Sequence, residues 1–292
     1  MPRQLFFWLI MLVSLKPLTA QWLEFGLEGQ FSNLYLRPER TPSDSSFDGK
    51  SDLYYNGSAY FISEISPGLT VKTGYLSDEV LRRRVFSYIT IQQSFVTFTV
   101  GPFYGIFNTN RKWFSPGVNL DARLDLPNVL FFTIGFDTNF GPILTDDDYF
   151  TSFQGSSFGF YVPFGIITIF ANYRTFQTLK SQIIIRDEMV KSGISTEVFF
   201  KNFPLRYTGT IEFSALQKDF VNGDTHQIMS LIFGSKIFWE INPGLAFYTI
   251  IDASVFSFGW EELNYNVPGN LPVGKVILGT RFRFNTTSTQ QQ

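Results

Sequence analysis

Asn202-Phe203-Pro204-Leu205-Arg206-Tyr207-Thr208-Gly209-Thr210-Ile211-Glu212-Phe213 carries the pattern from which the rest of the chain is read. Asn and Pro reverse a chain cheaply. The run that follows them alternates: Leu205, Tyr207, Ile211 and Phe213 oppose Arg206, Thr208, Thr210 and Glu212. A period of two is the signature of a strand with one apolar and one polar face. The same alternation appears at the start of the chain, where Leu23, Phe25, Leu27 and Phe31 oppose Glu24, Glu28 and Gln30. In 117–125, Val118, Leu120, Ala122 and Leu124 oppose Asp121, Arg123 and Asp125. In 226–240, Met229, Leu231, Phe233, Ile237 and Trp239 oppose Lys236 and Glu240. Only in 95–105 does the alternation nearly vanish.

Outward from this stretch, fourteen β segments are expected, rich in Val, Ile, Thr, Phe and Tyr. They cover 22–36, 53–65, 69–78, 84–92, 95–105, 117–125, 129–139, 151–162, 166–177, 190–201, 205–217, 226–240, 245–258 and 273–284. Twelve or sixteen strands are the alternative counts. Six connections are tight: Ser66-Pro67-Gly68, Gln93-Ser94, Leu126-Pro127-Asn128, Pro163-Phe164-Gly165, Asn202-Phe203-Pro204 and Asn242-Pro243-Gly244. The other seven, 37–52, 79–83, 106–116, 140–150, 178–189, 218–225 and 259–272, are longer and polar. Tight and long connections alternate along the whole chain, which is the rhythm of a transmembrane barrel with short turns at one rim and loops at the other. An even strand count leaves both ends on the turn side, the periplasm.

Composition points to the same solvent. Of 292 residues 18% are aromatic and only 16% charged, below the ~25% charge of ordinary soluble domains. Residues 1–20 read as a signal peptide: Arg3, an apolar run from Leu5 to Leu15, then Leu18-Thr19-Ala20 at the cleavage point. Taking Arg3 and Lys16 from 23 basic residues leaves 21 against 25 acids, a net charge of −4. Beyond residue 20 no apolar run is long enough for a spanning helix. A chain whose sheet must satisfy every backbone group inside lipid can only close into a barrel. The expected fold is therefore an all-β, antiparallel, up-and-down barrel over 21–284, without a plug, followed by a polar tail at 285–292. The absence of cysteine excludes thiolate chemistry, Cys-based metal sites and a lipid-bearing N-terminal Cys. No basic surface suggests nucleic acid.

The last segment ends Gly279-Thr280-Arg281-Phe282-Arg283-Phe284. Gly279 followed at three and five places by Phe282 and Phe284 resembles the closing-strand signal of bacterial outer-membrane barrels. That resemblance implies that the barrel assembly machinery reads this strand as an assembly signal. Strand count, mature length and the lack of a plug resemble the monomeric fourteen-stranded porins. The implied function is a channel in the bacterial outer membrane, conducting small hydrophilic solutes passively as a single chain, with lipid and solutes as its other partners.

The inward faces should then be charged in near balance. The expected pore-lining acids are Glu24, Glu28, Glu64, Asp121, Asp125, Asp137, Glu197, Glu212, Glu240 and Asp252; the bases are Lys72, Arg123, Arg174, Lys201, Arg206, Lys236, Arg281 and Arg283. Mixed signs predict weak selectivity, where a ring of one sign would select strongly, and about half of these charges should be structural bridges. Arg82-Arg83-Arg84 and Asp146-Asp147-Asp148 read as wet loop charges at the rim. His226, two places after Asp224, is the one histidine. Neither an aspartyl-protease-like nor a phospholipase-like surround accompanies it, so no catalytic, metal or cofactor residue is expected. Two other functions fit the same fold. One is an adhesive or structural surface barrel. The other is a transporter of hydrophobic molecules, which the apolar positions Phe98, Ile232, Phe238 and Ile250 would suit if they face the lumen.

Overall fold

The computed structural model describes residues 22–32, 54–77, 83–107, 113–140, 149–178, 184–200, 203–220, 225–258 and 273–285. These form fourteen antiparallel strands: β1 (Trp22–Ser32), β2 (Tyr54–Ser66), β3 (Leu69–Ser77), β4 (Arg83–Gln93), β5 (Val96–Phe107), β6 (Trp113–Leu126), β7 (Leu130–Asn139), β8 (Tyr149–Val162), β9 (Gly165–Thr178), β10 (Ile184–Phe199), β11 (Leu205–Phe220), β12 (Thr225–Asn242), β13 (Leu245–Phe258) and β14 (Val273–Asn285). Each strand pairs with its sequence neighbours, and β1 pairs with β14, so the sheet closes on itself. Closure leaves no unpaired strand edge.

The tight connections lie where the turn residues put them. Gly68 (φ 78), Ser94 (φ 54) and Asn128 (φ 63) adopt left-handed backbone at three of the reversals. At Gly68 a Cβ would also stand 2.5 Å from the Gln92 carbonyl oxygen, which accepts no such neighbour, so glycine is required there. Residues 1–20, expected as a signal peptide, and the tail at 286–292 fall outside the described residues, as does all or part of each long connection.

Register fixes two faces throughout. Phe25 stands beside Phe61 of β2 and Phe282 of β14, and Phe25, Leu27, Phe31, Ile211, Phe233 and Trp239 are exposed on the outside. Glu24, Gln30 and Ser32 of the same first strand are buried on the inside. On β12 the outward positions from Met229 to Ile241 are apolar except Ser235. Twelve steps from residue to residue at ~3.4 Å each, tilted by ~40°, make this band about 30 Å tall. That is the thickness of a bilayer's hydrocarbon core. At the loop end the band stops along one row of paired outward residues: Thr138, Ser152, Thr175, Glu188, Gln217 and Gln227. Above it Gln217 and Thr225 both donate to Asp219 at 3.0 Å. At the turn end Phe95, Phe164, Phe200 and Phe203 are exposed, an apolar edge of aromatic rings of the kind that marks a membrane interface.

Two strands start four or more residues earlier than the sequence pattern indicated. β10 begins at Ile184 rather than 190, and β6 at Trp113 rather than 117. The extra length of β10 carries Arg186 and Glu188 on its outer face. The run Ile184-Ile185-Arg186-Asp187-Glu188-Met189 mixes apolar and charged residues in both parities, so it has no alternation to read and looks like a loop although it stays in the sheet.

Candidate functional site

The inside wall is built in layers, and glycine comes first. Six inward glycines stand directly opposite an inward aromatic residue: Gly26 and Tyr60, Gly74 and Phe86, Gly117 and Phe103, Gly159 and Phe131, Gly193 and Phe170, Gly279 and Tyr248. In each pair the ring lies over the glycine, close enough to crowd any Cβ placed there. Rings that would otherwise project into the lumen therefore lie flat on its wall. Phe103 is only 2% exposed as a result.

Cations form the next layer. Lys72 Nζ stands 4.5 Å from the Tyr60 ring centre, Arg84 is 5.2 Å from Phe103, Arg123 is 4.0 Å from Phe131 and Lys236 is 5.5 Å from Tyr248. A cation over a ring gains about 0.5–2 kcal/mol depending on its exposure. Phe238 serves two at once, with Arg206 at 4.3 Å and Arg281 at 4.8 Å.

Acids complete the wall by pairing with these cations. Arg84 bonds Asp137 at 2.9 Å, Arg123 bonds Asp125 at 2.7 Å, Lys191 bonds Glu212 at 3.2 Å and Lys275 bonds Asp252 at 2.7 Å. Arg206 lies 3.8 Å from Glu197. Tyr161 also donates to Asp125 at 2.9 Å. Across the seam where the barrel closes, Glu24 of β1 takes Arg283 at 2.9 Å and Arg281 at 3.9 Å, and Arg281 reaches Glu240 at 3.9 Å. Three inward acids differ, the first being Glu64, which makes no ion pair among the described residues. Asp121 accepts from the Asn119 amide at 2.5 Å. Glu28 accepts from Ser58 Oγ at 2.6 Å and from the Tyr248 hydroxyl. The groups bonded to Asp121 and Glu28 are neutral, so their charge is not cancelled by contact.

Glu28 also faces a chamber. A cavity of about 400 Å³ is lined by Glu28, Gln30, Ser58 and Ser77 from β1–β3 and by Asn172, Arg174, Lys191 and Glu212 from β9–β11. In a closed ring of fourteen, β1 and β9 are six strands apart one way and eight the other, close to diametrically opposed. Side chains from opposite walls thus meet one space, and the lumen is narrow at this level. Arg174 enters it lying 5.5 Å from the Phe153 ring.

Register places every described residue of the expected pore lining on the inner face. Lys201 lies outside the described residues, as do Arg82, Asp146, Asp147, Asp148 and Asp224; His226 belongs to β12, but its side chain is not described. Arg84 is a correction. It is a β4 residue bonded inside the barrel to Asp137, not a loop charge at the rim. Phe98 is a second correction: it pairs with Ala122 on the outer face and is 40% exposed there, whereas Ile232 is buried inside. In β5 no charged residue marks the inner face; Thr97 and Thr99 do, opposite the outward Val96, Phe98 and Val100, and the pairing register confirms that order. Among the described side chains, the inward charges missed in the sequence are Arg84, Lys191 and Lys275; the last two share the parity of Glu197 and of Arg281 on their own strands. Of the closing-strand residues, Gly279 lies inside against Tyr248, and Phe284 is 59% exposed outside.

No protein-family profile and no curated protein matches the sequence. Solved structures similar in overall form include a bacterial polysaccharide outer membrane secretin, at 10% identity and a TM-score of 0.44, covering 91% of this chain and 99% of that one. An outer membrane channel from Pseudomonas putida F1 is 6% identical with a TM-score of 0.48, covering 91% of this chain and 96% of that one. A Pseudomonas aeruginosa FadL homologue is 7% identical with a TM-score of 0.48, covering 91% of this chain and 90% of that one.

Proposed function

We propose that the chain is a bacterial outer-membrane channel for the passive diffusion of small hydrophilic solutes, with weak ion selectivity. One observation carries the reading: a closed barrel with an apolar outer band, charged groups on its inner wall and a cavity between its opposite sides. An apolar exterior of membrane thickness has no use in water, and a charged interior has no use in a packed core. Lipid, the assembly machinery and solutes are its partners, the pore is formed by one chain with both ends periplasmic, and no catalytic step belongs to this reading. Weak selectivity follows from the contact pairing of most inward charges. Because rings are held flat by glycine, the apolar groups inside line the wall and leave room for water.

The test is a planar-bilayer recording of purified, heat-modifiable protein. Discrete conductance steps with a modest reversal potential in a salt gradient are expected. Folded protein that binds surfaces but gives no steps would favour the adhesin function, and uptake confined to fatty acids or other apolar solutes would favour the hydrophobic transporter.

A further inference from the structure

On the outer wall, facing lipid, the sheet carries a groove of about 720 Å³ that runs from β5 to β10. Phe98 and Leu120 bound one end of it and Tyr173 and Val190 the other, while Ala122, Ser156 and Ala171 between them are too small to fill it. The groove occupies two neighbouring rows of outward positions. Gln154 stands in the upper row, paired with Phe136 and Tyr173, and Ser156 in the lower, paired with Ile134 and Ala171. The polar row of Ser152, Thr175 and Glu188 ends the apolar band just above them. Two residues of a strand tilted by ~40° rise about 5 Å, which puts Gln154 about 5 Å and Ser156 about 10 Å inside that edge. Both are exposed, and neither side chain makes a hydrogen bond among the described residues. The hydroxyl of Tyr173, beside Gln154 on the next strand, donates to Glu188 instead. Hydrocarbon offers an amide and a hydroxyl nothing to bond.

We propose that this groove is a lipid site for an amide-linked 3-hydroxyacyl chain, the kind carried by the glycolipid of a bacterial outer leaflet. The proposal rests on the outer-membrane reading with the loop end outward, and not on conduction. The methylenes of the chain cover the floor that Ala122 and Ala171 leave open. At its head the amide presents an N–H and a carbonyl to the Gln154 amide, which both donates and accepts. The 3-hydroxyl lies deeper, towards Ser156. A plain chain joined by an ester brings one carbonyl and no donor, so it leaves part of this polar set unbonded. A second barrel is a poorer occupant, because its wall is convex while Phe98 and Ile134, 40% and 49% exposed, stand out beside the floor. A flexible chain reaches between them. Above the groove Arg186 and Glu188 bond each other, so their charges cancel locally and the site reads the chain rather than a phosphate. The volume is within the roughly 300–1,000 Å³ of small-molecule sites.

The protein, purified in detergent and checked for heat-modified mobility, is titrated with lipid A and separately with dipalmitoyl phosphatidylethanolamine. Bound lipid is counted by native mass spectrometry. Lipid A should bind as a single molecule per chain, about tenfold or more tightly than the phosphatidylethanolamine. Ala171→Phe fills the groove, and Gln154→Leu with Ser156→Val leaves it wholly apolar; each should weaken lipid A binding about tenfold. Ser235→Val, a lipid-facing change on β12 away from the groove, should leave it unchanged. All these substitutions put apolar groups against lipid, so folding should be kept. Equal binding of the two lipids would overturn the site and leave the channel standing. The same holds for the absence of any lipid A adduct, for lipid A binding that the groove variants weaken no more than Ser235→Val does, and for a stable dimer of barrels that Ala171→Phe separates. Folded protein that retains lipid A in this way but gives no conductance steps would remove the channel reading and leave the site.

Discussion

At Gly279 one hydrogen in place of a side chain decides where an aromatic ring lies. The Tyr248 ring fills the volume a Cβ would take, and from that position its hydroxyl reaches Glu28 across the closing seam. Gly279→Ala should therefore push the ring into the lumen and break that bond. Overpacking of this kind costs about 1–3 kcal/mol, so the urea midpoint in detergent should fall. The same change placed in a Tyr248→Ala background should cost far less, because the ring that clashes is gone. Additive effects in that double-mutant cycle would mean the ring and the glycine do not act together. A second residue-scale expectation concerns Asp137, buried at 2% exposure and bonded to Arg84. Removing one partner of a buried pair costs roughly 3–5 kcal/mol, whereas removing both charges costs much less. Arg84→Ala should be clearly less stable than Arg84→Ala with Asp137→Asn, measured by the same unfolding curve.

Strands, unlike single residues, carry their faces in their pattern, and the last strand shows how far that goes. β14 puts Phe282 and Phe284 outward, with Phe282 beside Phe25 of β1, and its pairing runs to Asn285 opposite Trp22. If this strand is the signal that assembly reads, Phe282→Ala with Phe284→Ala should lower the amount of folded, heat-modifiable protein in the outer membrane. Deletion of 286–292 should leave that amount unchanged, since the last pair of the seam is kept. An undiminished yield from the double variant would show the aromatics are incidental. Where one face is apolar and the other polar, as in β1, β6, β11 and β12, strand bounds and facing were legible in the sequence to within a few residues. Where that contrast fails, they were not. β5 has no charge to mark its inner face, which Thr97 and Thr99 share with Gly101 and Phe103, and Phe98 was put on the wrong side; the start of β10 mixes apolar and charged residues in both parities, which hid it as a loop. The glycine–ring pairs were also unreadable, because each joins residues on different strands and exists only once the register is known. The same holds for the chamber, whose two walls are six strands apart.

For the whole barrel the deciding quantity is the charge left after contact pairing, not the charge counted along the chain. Asp125, Asp137, Glu212 and Asp252 each lie within 3.2 Å of a cationic nitrogen, so from the middle of a wet lumen each pair is nearly a dipole of zero net charge. Glu28 and Asp121 are bonded instead to hydroxyls and an amide. Their charge reaches ions in the lumen, over a screening length of about 10 Å at 0.1 M salt. Glu28 also borders the chamber where side chains of opposite walls line one space, so a passing ion comes close to it. Glu64 also has no cation in contact among the described residues, and Lys72 and Lys236 have no acid in contact, so the unpaired charges nearly balance and any cation preference should be slight. Glu28→Gln with Asp121→Asn keeps shape and hydrogen bonding but removes both charges. In a tenfold KCl gradient at low total salt, the reversal potential should move toward the chloride value. Removing a bridged pair, Asp252→Asn with Lys275→Gln, takes away one charge of each sign and should leave the potential close to that of the unaltered channel. If the bridged pair moves the potential as far as the two lone acids do, contact pairing does not govern the field, and selectivity must instead follow the plain sum of inward charges.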